Sequence, residues 1–248
     1  MRMLTADAAD LDDDELARLY DYPSENWLRA NFVASADGAA FLDGRSGGLS
    51  DAADRRLFRV LRALADVVLV GAGTARAELY KPARRRPEHA PLRAGRAATP
   101  PIALVSRGLD LDLAAPLFTE APPDARTIVI TCGASPVDRR AATAQVADVI
   151  VAGDTAVDLA AALAVLRDRG LGRVLCEGGP TLLAHLVSDG LTNELCLTIS
   201  PVLAGPGASR ITAQASFPAR QLALVHVLRA EGALFCRYLL TTNTGFSR

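Results

Sequence analysis

Residues 174–186 read Val-Leu-Cys-Glu-Gly-Gly-Pro-Thr-Leu-Leu-Ala-His-Leu. An apolar run from Arg173 to Cys176 stops at Glu177, two glycines follow, and Pro180 opens a helix-like pattern that reaches about Val187. Leu195 to Ile199 is the next apolar run, so the stretch predicts a strand, a helix and a second strand. Gly178 and Gly179 lack the side chains that would hold a ligand's phosphates away from the backbone. Free N–H groups and the helix dipole would then favour a pyrophosphate. An ordinary strand-to-helix turn has the same composition, and both readings stay open on these residues alone.

Working outward, the same alternation recurs. Leu28 to Ser35, Val67 to Val70, Ile102 to Val105, Thr127 to Thr131 and Val149 to Val151 read as strands. Leu57, Val60, Leu61, Leu64 and Ala65 follow Ser50 or Asp51 at helical spacing, and Asp158 to Arg169 is helical with Gly170 as its stop. Asp12 or Asp13 caps a short helix through Tyr20. Lys81 to Arg96 has no periodicity and reads as a long, basic, mobile loop. Leu222 to Leu228 and Leu234 to Leu240 flank Arg229 to Ala233 as an antiparallel hairpin. The sum is an α/β fold, mostly parallel with an antiparallel end.

Composition narrows the function classes. The 248 residues are 50% hydrophobic and carry 27 basic against 28 acidic side chains, so nothing global favours nucleic acid or an anionic membrane. No apolar run reaches the ~20 residues of a membrane span, and the N-terminus lacks a signal-peptide core. A cytoplasmic protein is the expectation. Cys132, Cys176, Cys196 and Cys236 stand apart, with no C-x-x-C, and read as buried thiols. His89, His185 and His226 share no ligand spacing, so no metal site is expected.

Two other strand ends resemble the opening one. Val70 to Thr74 (VGAGT) runs from a strand into glycines and a hydroxyl. At Pro101 to Leu109 (PIALVSRGL), Ser106 and Arg107 leave a strand together, a hydroxyl and a bidentate cation suited to a phosphate monoester. A tight turn and a solvated loop arginine are the plainer alternatives. Three such ends in one sheet fit a phosphorylated dinucleotide, because ligands of α/β sheets sit at strand C-termini.

The order and wording of several segments resemble a known family: NFVASADG at 31–38, GGLS at 47–50, FRVLRALADVVLVGAGT at 58–74, GDTAVD at 153–158, CEGGPTLL at 176–183 and LTNELCLTISPVLAG at 191–205. Over residues 28–240 the chain is similar to the reductase domain of bacterial riboflavin biosynthesis, the diaminohydroxyphosphoribosylamino-pyrimidine or uracil reductases. The resemblance implies a dihydrofolate reductase-like three-layer fold: a mostly parallel central sheet, an antiparallel C-terminal hairpin and helices on both faces. It implies one reductase domain at 28–242 behind an N-terminal extension at 1–27, with NADPH as cofactor. Gly71, Gly73 and Thr74, with Gly178, Gly179, Pro180, Thr181 and Leu182, would line that cofactor. Ser106 and Arg107 look like the 2′-phosphate site. Ser46, Arg62 and Arg85 fall at the substrate-phosphate contacts, and Glu177 at the contact to the base ring, whose N–H donors suit a carboxylate.

Glu177 and Asp37 are the candidate catalytic residues; Asp37 is either a turn residue capping Gly38 or a polar group beside the nicotinamide. In the implied reaction the ribosyl ring of a 5′-phosphorylated pyrimidine opens to an imine, and C1′ accepts hydride from NADPH to leave a ribityl side chain. The resemblance also implies a homodimer. The family's usual zinc deaminase has no counterpart motif here, so a separate deaminase is expected. Many family members have lysine at Asn31, tryptophan at Gly48 and Asp-Asp-Pro at Glu78 to Tyr80. A pterin or dihydrofolate reductase of the same fold, and an NADPH-binding regulatory module without turnover, are the alternatives.

Overall fold

The computed structural model describes residues 6–7, 11–213 and 216–241. Part of the expected N-terminal extension and the domain's expected last residue, 242, therefore lie outside the described residues. In chain order the elements are β1 (Ala6–Asp7), α1 (Asp13–Leu19), β2 (Trp27–Ser35), α2 (Ala52–Leu64), β3 (Val67–Gly71), α3 (Ala72–Ala77), β4 (Ile102–Val105) and α4 (Pro116–Thr119). They continue with β5 (Ile128–Thr131), α5 (Val137–Val146), β6 (Asp148–Val151), α6 (Leu159–Asp168), β7 (Arg173–Cys176), α7 (Pro180–Ser188), β8 (Glu194–Ser200), β9 (Leu222–Ala230) and β10 (Ala233–Leu240). The described residues within Met1–Asp21, Trp27–Leu61 and Cys176–Arg248 form one compact unit; Tyr22–Asn26 and Arg62–Leu175 form another.

In the first unit the strands run in the order β1-β9-β10-β8-β2. β2 and β8 are parallel, with Val33 opposite Thr198 and Ser35 opposite Ser200, so both strands end together. β9 and β10 form the expected hairpin, closed by Glu231 and Gly232 at φ 53° and 84°. Two consecutive left-handed residues suit a type I′ turn, whose twist matches that of the strands. α1 is built from its sequence alone: Asp12 accepts the Glu15 N–H at 2.7 Å, and Glu15 accepts the Asp12 N–H at 2.9 Å. That reciprocal box satisfies two of the helix's orphan donors.

In the second unit the order is β7-β3-β4-β5-β6, with β3, β4, β5 and β6 parallel to one another. Val67, Val68, Val70, Ala103, Val129 and Ile130 are completely buried, which explains why these strands read as continuous apolar runs. Asp158 caps α6 by accepting the Ala161 N–H at 2.9 Å. Gly170, at φ 75°, ends it, and the Leu171 N–H returns to the Leu166 carbonyl at 2.9 Å.

Residues 81–96 depart from the expected featureless loop. Pro87–His89 and Pro91–Arg93 are 3-10 turns, and His89 and Arg93 are buried. The Arg93 guanidinium donates to the carbonyls of Ala63 and Ala65 at 3.1 and 2.7 Å, and Arg96 donates to Leu64 at 2.8 Å and Asp66 at 3.0 Å. The end of α2 leaves carbonyls without helical partners, and these arginines supply the donors. Three helices escape the sequence reading: α4; α5, on which Thr143 is the buried residue; and α3, where a glycine turn after the strand was expected. All four cysteines are free and buried, as expected. Among the described residues no helix is long and apolar enough to cross a membrane, and no group of three or more His, Cys, Asp or Glu could hold a metal.

Candidate functional site

In the first unit, Cys176 gives way to Glu177, Gly178 and Gly179, all buried, before α7 begins at Pro180. Gly178 has φ 107°, a conformation that side chains with a Cβ rarely adopt, and the Gly178–Gly179 peptide is cis. Gly179 is the N-cap of α7 and provides no side-chain cap, while Pro180 has no N–H to satisfy. The nine-residue helix thus opens on backbone donors with a positive dipole end, which fits a phosphate of a dinucleotide. Thr181 is half-buried and Leu182 buried on its first turn. Burial pushes the adjacent Cys176 thiol up to about 12, so it is a packing residue and not a nucleophile.

Asp37 lies in the turn after β2. Its Oδ1 accepts the Ser35 hydroxyl and, at 3.0 Å, the Ala204 N–H; its Oδ2 accepts the Gly205 N–H at 2.9 Å. The Ser35 hydrogen bond, then those of Ala204 and Gly205, lower its pKa to about 2, so the carboxylate is ionised near neutral pH and donates no proton. The segment it holds goes on to join two neighbours. The Ala36 N–H donates to Val202 O at 2.8 Å, the Ala40 N–H to Ser209 O at 2.7 Å and the Ala213 N–H to Pro180 O at 3.2 Å. Residues 202–213 therefore link the Asp37 turn to the start of α7. Nothing in the residue types of 202–213 announced this role. Ser46 stands in the 3-10 turn Ser46–Gly48, four residues before Ser50. Beneath α1 and α2, Leu16, Ala53, Leu57, Leu228 and Phe235 border a cavity of about 210 Å³ that holds none of the expected site residues.

In the second unit, β3 and β4 end in register, Gly71 opposite Val105, which sets Gly71–Thr74 beside Ser106–Arg107. Gly71 is the N-cap of α3, and Gly73 and Thr74 lie inside that helix, with Gly73 exposed. Ser106 is buried; its Oγ accepts the Leu109 N–H at 3.1 Å. Arg107 is exposed, and its carbonyl accepts the Thr131 hydroxyl at 3.3 Å. A held hydroxyl next to an exposed guanidinium fits a phosphate monoester. Arg62, near the end of α2, lies over the Tyr80 ring at 5.5 Å, and Arg85 is exposed on the stretch before the first 3-10 turn. The structure thus separates the expected phosphate-binding arginines 62 and 85 from one another by role, one stacked on an aromatic ring and one in solvent.

Comparison with known proteins identifies the family. Residues 26–234 match the family described as the RibD C-terminal domain. A 2,5-diamino-6-ribosylamino-4(3H)-pyrimidinone 5′-phosphate reductase from Archaeoglobus fulgidus is 30% identical over 184 residues, 72% of this chain and 82% of that protein. One from Methanothermobacter thermautotrophicus is 28% identical over 175 residues, 71% of this chain and 77% of that protein. The crystal structure of a pyrimidine reductase-like protein from Corynebacterium diphtheriae superposes with a TM-score of 0.80 at 31% identity, covering 88% of this chain and 93% of that one. The mostly parallel α/β fold expected from the sequence is the fold present. Because the family match runs through both units and most of the sequence, this chain belongs to the RibD C-terminal domain family.

Proposed function

We propose that this chain is a reductase of riboflavin biosynthesis that reduces the ribosylamino side chain of a 5′-phosphorylated pyrimidine to ribitylamino. The observation that carries the reading is the match over 26–234 together with relatives that bear the reductase name across 82% and 77% of their lengths. The reductase family implies a nicotinamide cofactor, which when bound supplies the hydride delivered to C1′. NADPH is the finer choice, supported by exposed Arg107 beside the held hydroxyl of Ser106. Gly71, Gly73 and Thr74, and Gly178 to Leu182, are the remaining cofactor-binding residues in this reading, supported by two strand ends that lead through glycines into helices.

Glu177 meets the base ring. Glu177 is 8% exposed where an apolar strand ends, and its carboxylate suits the N–H donors of that ring. Ser46, Arg62 and Arg85 hold the substrate phosphate. Asp37, ionised and held by three donors, works as the fixed organiser of residues 202–213 beside the reacting groups. The chain's part in the reaction is orientation and water exclusion, for which aligned reactants gain up to ~7–11 kcal/mol. Residues 28–242 function as a single reductase domain behind a 1–27 extension, supported by one family match across both units. A cytoplasmic homodimer fed by a separate deaminase completes the proposal.

The test is NADPH oxidation by the purified chain with the phosphorylated ribosylamino-pyrimidine, run beside dihydrofolate. Turnover with the pyrimidine that falls in Arg62→Ala supports the reading. Turnover with dihydrofolate alone identifies a pterin reductase, and NADPH binding without oxidation a regulatory module.

A further inference from the structure

None of these roles uses Asp54, yet it is one of the most constrained carboxylates in the first unit. It is the third residue of α2 and is 8% exposed. The helix's cap does not need its side chain, because Asp51 Oδ1 already accepts the Asp54 N–H at 2.7 Å. The carboxylate instead turns inward. Its Oδ1 accepts the Thr198 hydroxyl of β8 at 2.7 Å, and its Oδ2 accepts the Ser50 hydroxyl. Burial raises its pKa against the opposing pull of those two hydrogen bonds, so the ionised form is held there at an energetic disadvantage. In water at the same helix position it would favour the dipole without that disadvantage. An apolar residue of similar size would often pack as well or better than a buried charge.

What the carboxylate provides is a three-way join. It links Ser50, which ends the turn carrying Ser46, to the first turn of α2 and to β8. Thr198 lies opposite Val33, two pairs before the Ser35–Ser200 pair that closes both parallel strands. That is the end of an α/β sheet where ligands bind. We infer that Asp54 is a positioning residue for the substrate phosphate, fixing the Ser46–Ser50 turn against β8. The inference rests on the reductase reading, in which Ser46 contacts that phosphate.

Steady-state kinetics test it with the phosphorylated pyrimidine and the same pyrimidine lacking its phosphate, in the full chain and in Asp54→Ala, Asp54→Asn and Thr198→Val. Thermal unfolding is recorded for each. Asp54→Ala is expected to raise KM for the phosphorylated substrate about tenfold with kcat within about twofold, and to leave the dephosphorylated substrate nearly unaffected. Asp54→Asn, isosteric and still able to accept from Thr198, is expected to unfold no earlier than the parent chain and to show an intermediate KM. It keeps the test valid if the alanine variant fails to fold. Unchanged KM in folded variants, or equal losses on both substrates, would overturn the inference while leaving the reductase reading intact. Absence of turnover with the pyrimidine in the unaltered chain would overturn that reading and the inference with it.

Discussion

Arg29 and Glu194 meet at 2.7 Å with neither side chain exposed to water. Arg237 reaches the same carboxylate at 2.9 Å, and the Trp27 indole N–H donates to its other oxygen at 2.9 Å. The two guanidinia lie 5.9 and 5.8 Å from the Tyr20 ring, and Arg237 donates to the carbonyls of Leu19 and Asp21. One carboxylate thereby holds β2, β8, β10 and the end of α1 together. Glu194→Gln would keep the shape and leave two buried guanidinia without an anion. We expect it to lower unfolding stability by about 3–5 kcal/mol in denaturant titrations, with an unchanged slope. A loss below about 1 kcal/mol would mean that water reaches the cluster.

Acid should loosen the same cluster first. His226 lies edge-on to Tyr20 at 5.0 Å, and its Nε2 has no hydrogen-bond partner. Burial, and then the Arg237 charge, lower its pKa to about 4. A histidine depressed from about 6.5 contributes stability that is present above 6.5 and lost as pH falls towards 4. Glu194 acts with the same sign: burial alone would raise it, but Arg29 and Arg237 hold it below its ordinary value, so protonation in acid removes stability. Unfolding midpoints measured from pH 7 to pH 4 should fall in the parent chain. In His226→Gln the slope between about pH 6.5 and 5 should flatten, and parallel curves for the two proteins would refute the assignment to His226.

How much of this was legible in sequence depends on where the determining partner lies. α1 and α6 carry their own caps, so Asp12 and Asp158 announce them. Buried strands such as Val67–Gly71 announce themselves by composition. α5 was silent because its exposed positions include Val137 at 71% exposure, which blurs the apolar stripe that periodicity detects. The turns near Arg93 depend on carbonyls at 63 and 65, some thirty residues away, and no local pattern encodes such partners. The site divides in the same way. The turn at Gly178 and Gly179 and the helix start at Pro180 were readable from glycine and proline chemistry, whereas the contacts of Asp37 and Asp54 depend on donors at 204, 205 and 198.

Gly172 and Gly153 should resist even the smallest side chain. A Cβ at Gly172 would sit 2.1 Å from the Glu25 carbonyl oxygen, and one at Gly153 would sit 2.4 Å from that of Ala156, where φ is also 81°. Backbone oxygens cannot move aside as a flexible side chain can, so Gly172→Ala and Gly153→Ala should each destabilise by about 1–3 kcal/mol. Gly108, with no atom within 4 Å of its Cβ position, provides the comparison. Equal thermal midpoints for Gly108→Ala and Gly172→Ala would contradict the close approach.

Cofactor choice should turn on Arg107. Ser106 Oγ spends one lone pair on the Leu109 N–H at 3.1 Å, and its hydroxyl hydrogen remains available to a phosphate oxygen. Arg107 adds an exposed, permanently charged fork one residue later, beside the Gly71–Thr74 strand end. Only NADPH offers a 2′-phosphate to that pair, so Arg107→Ala should raise KM for NADPH about tenfold to a hundredfold and leave KM for NADH nearly unchanged. Arg107→Lys keeps the charge without the fork and should fall between the two. Because the side chain is solvent-exposed, thermal midpoints should stay within about 2 °C of the parent chain. Equal losses with both cofactors would move the discrimination to another residue, and a variant still preferring NADPH as strongly as the parent would remove Arg107 from the cofactor site altogether.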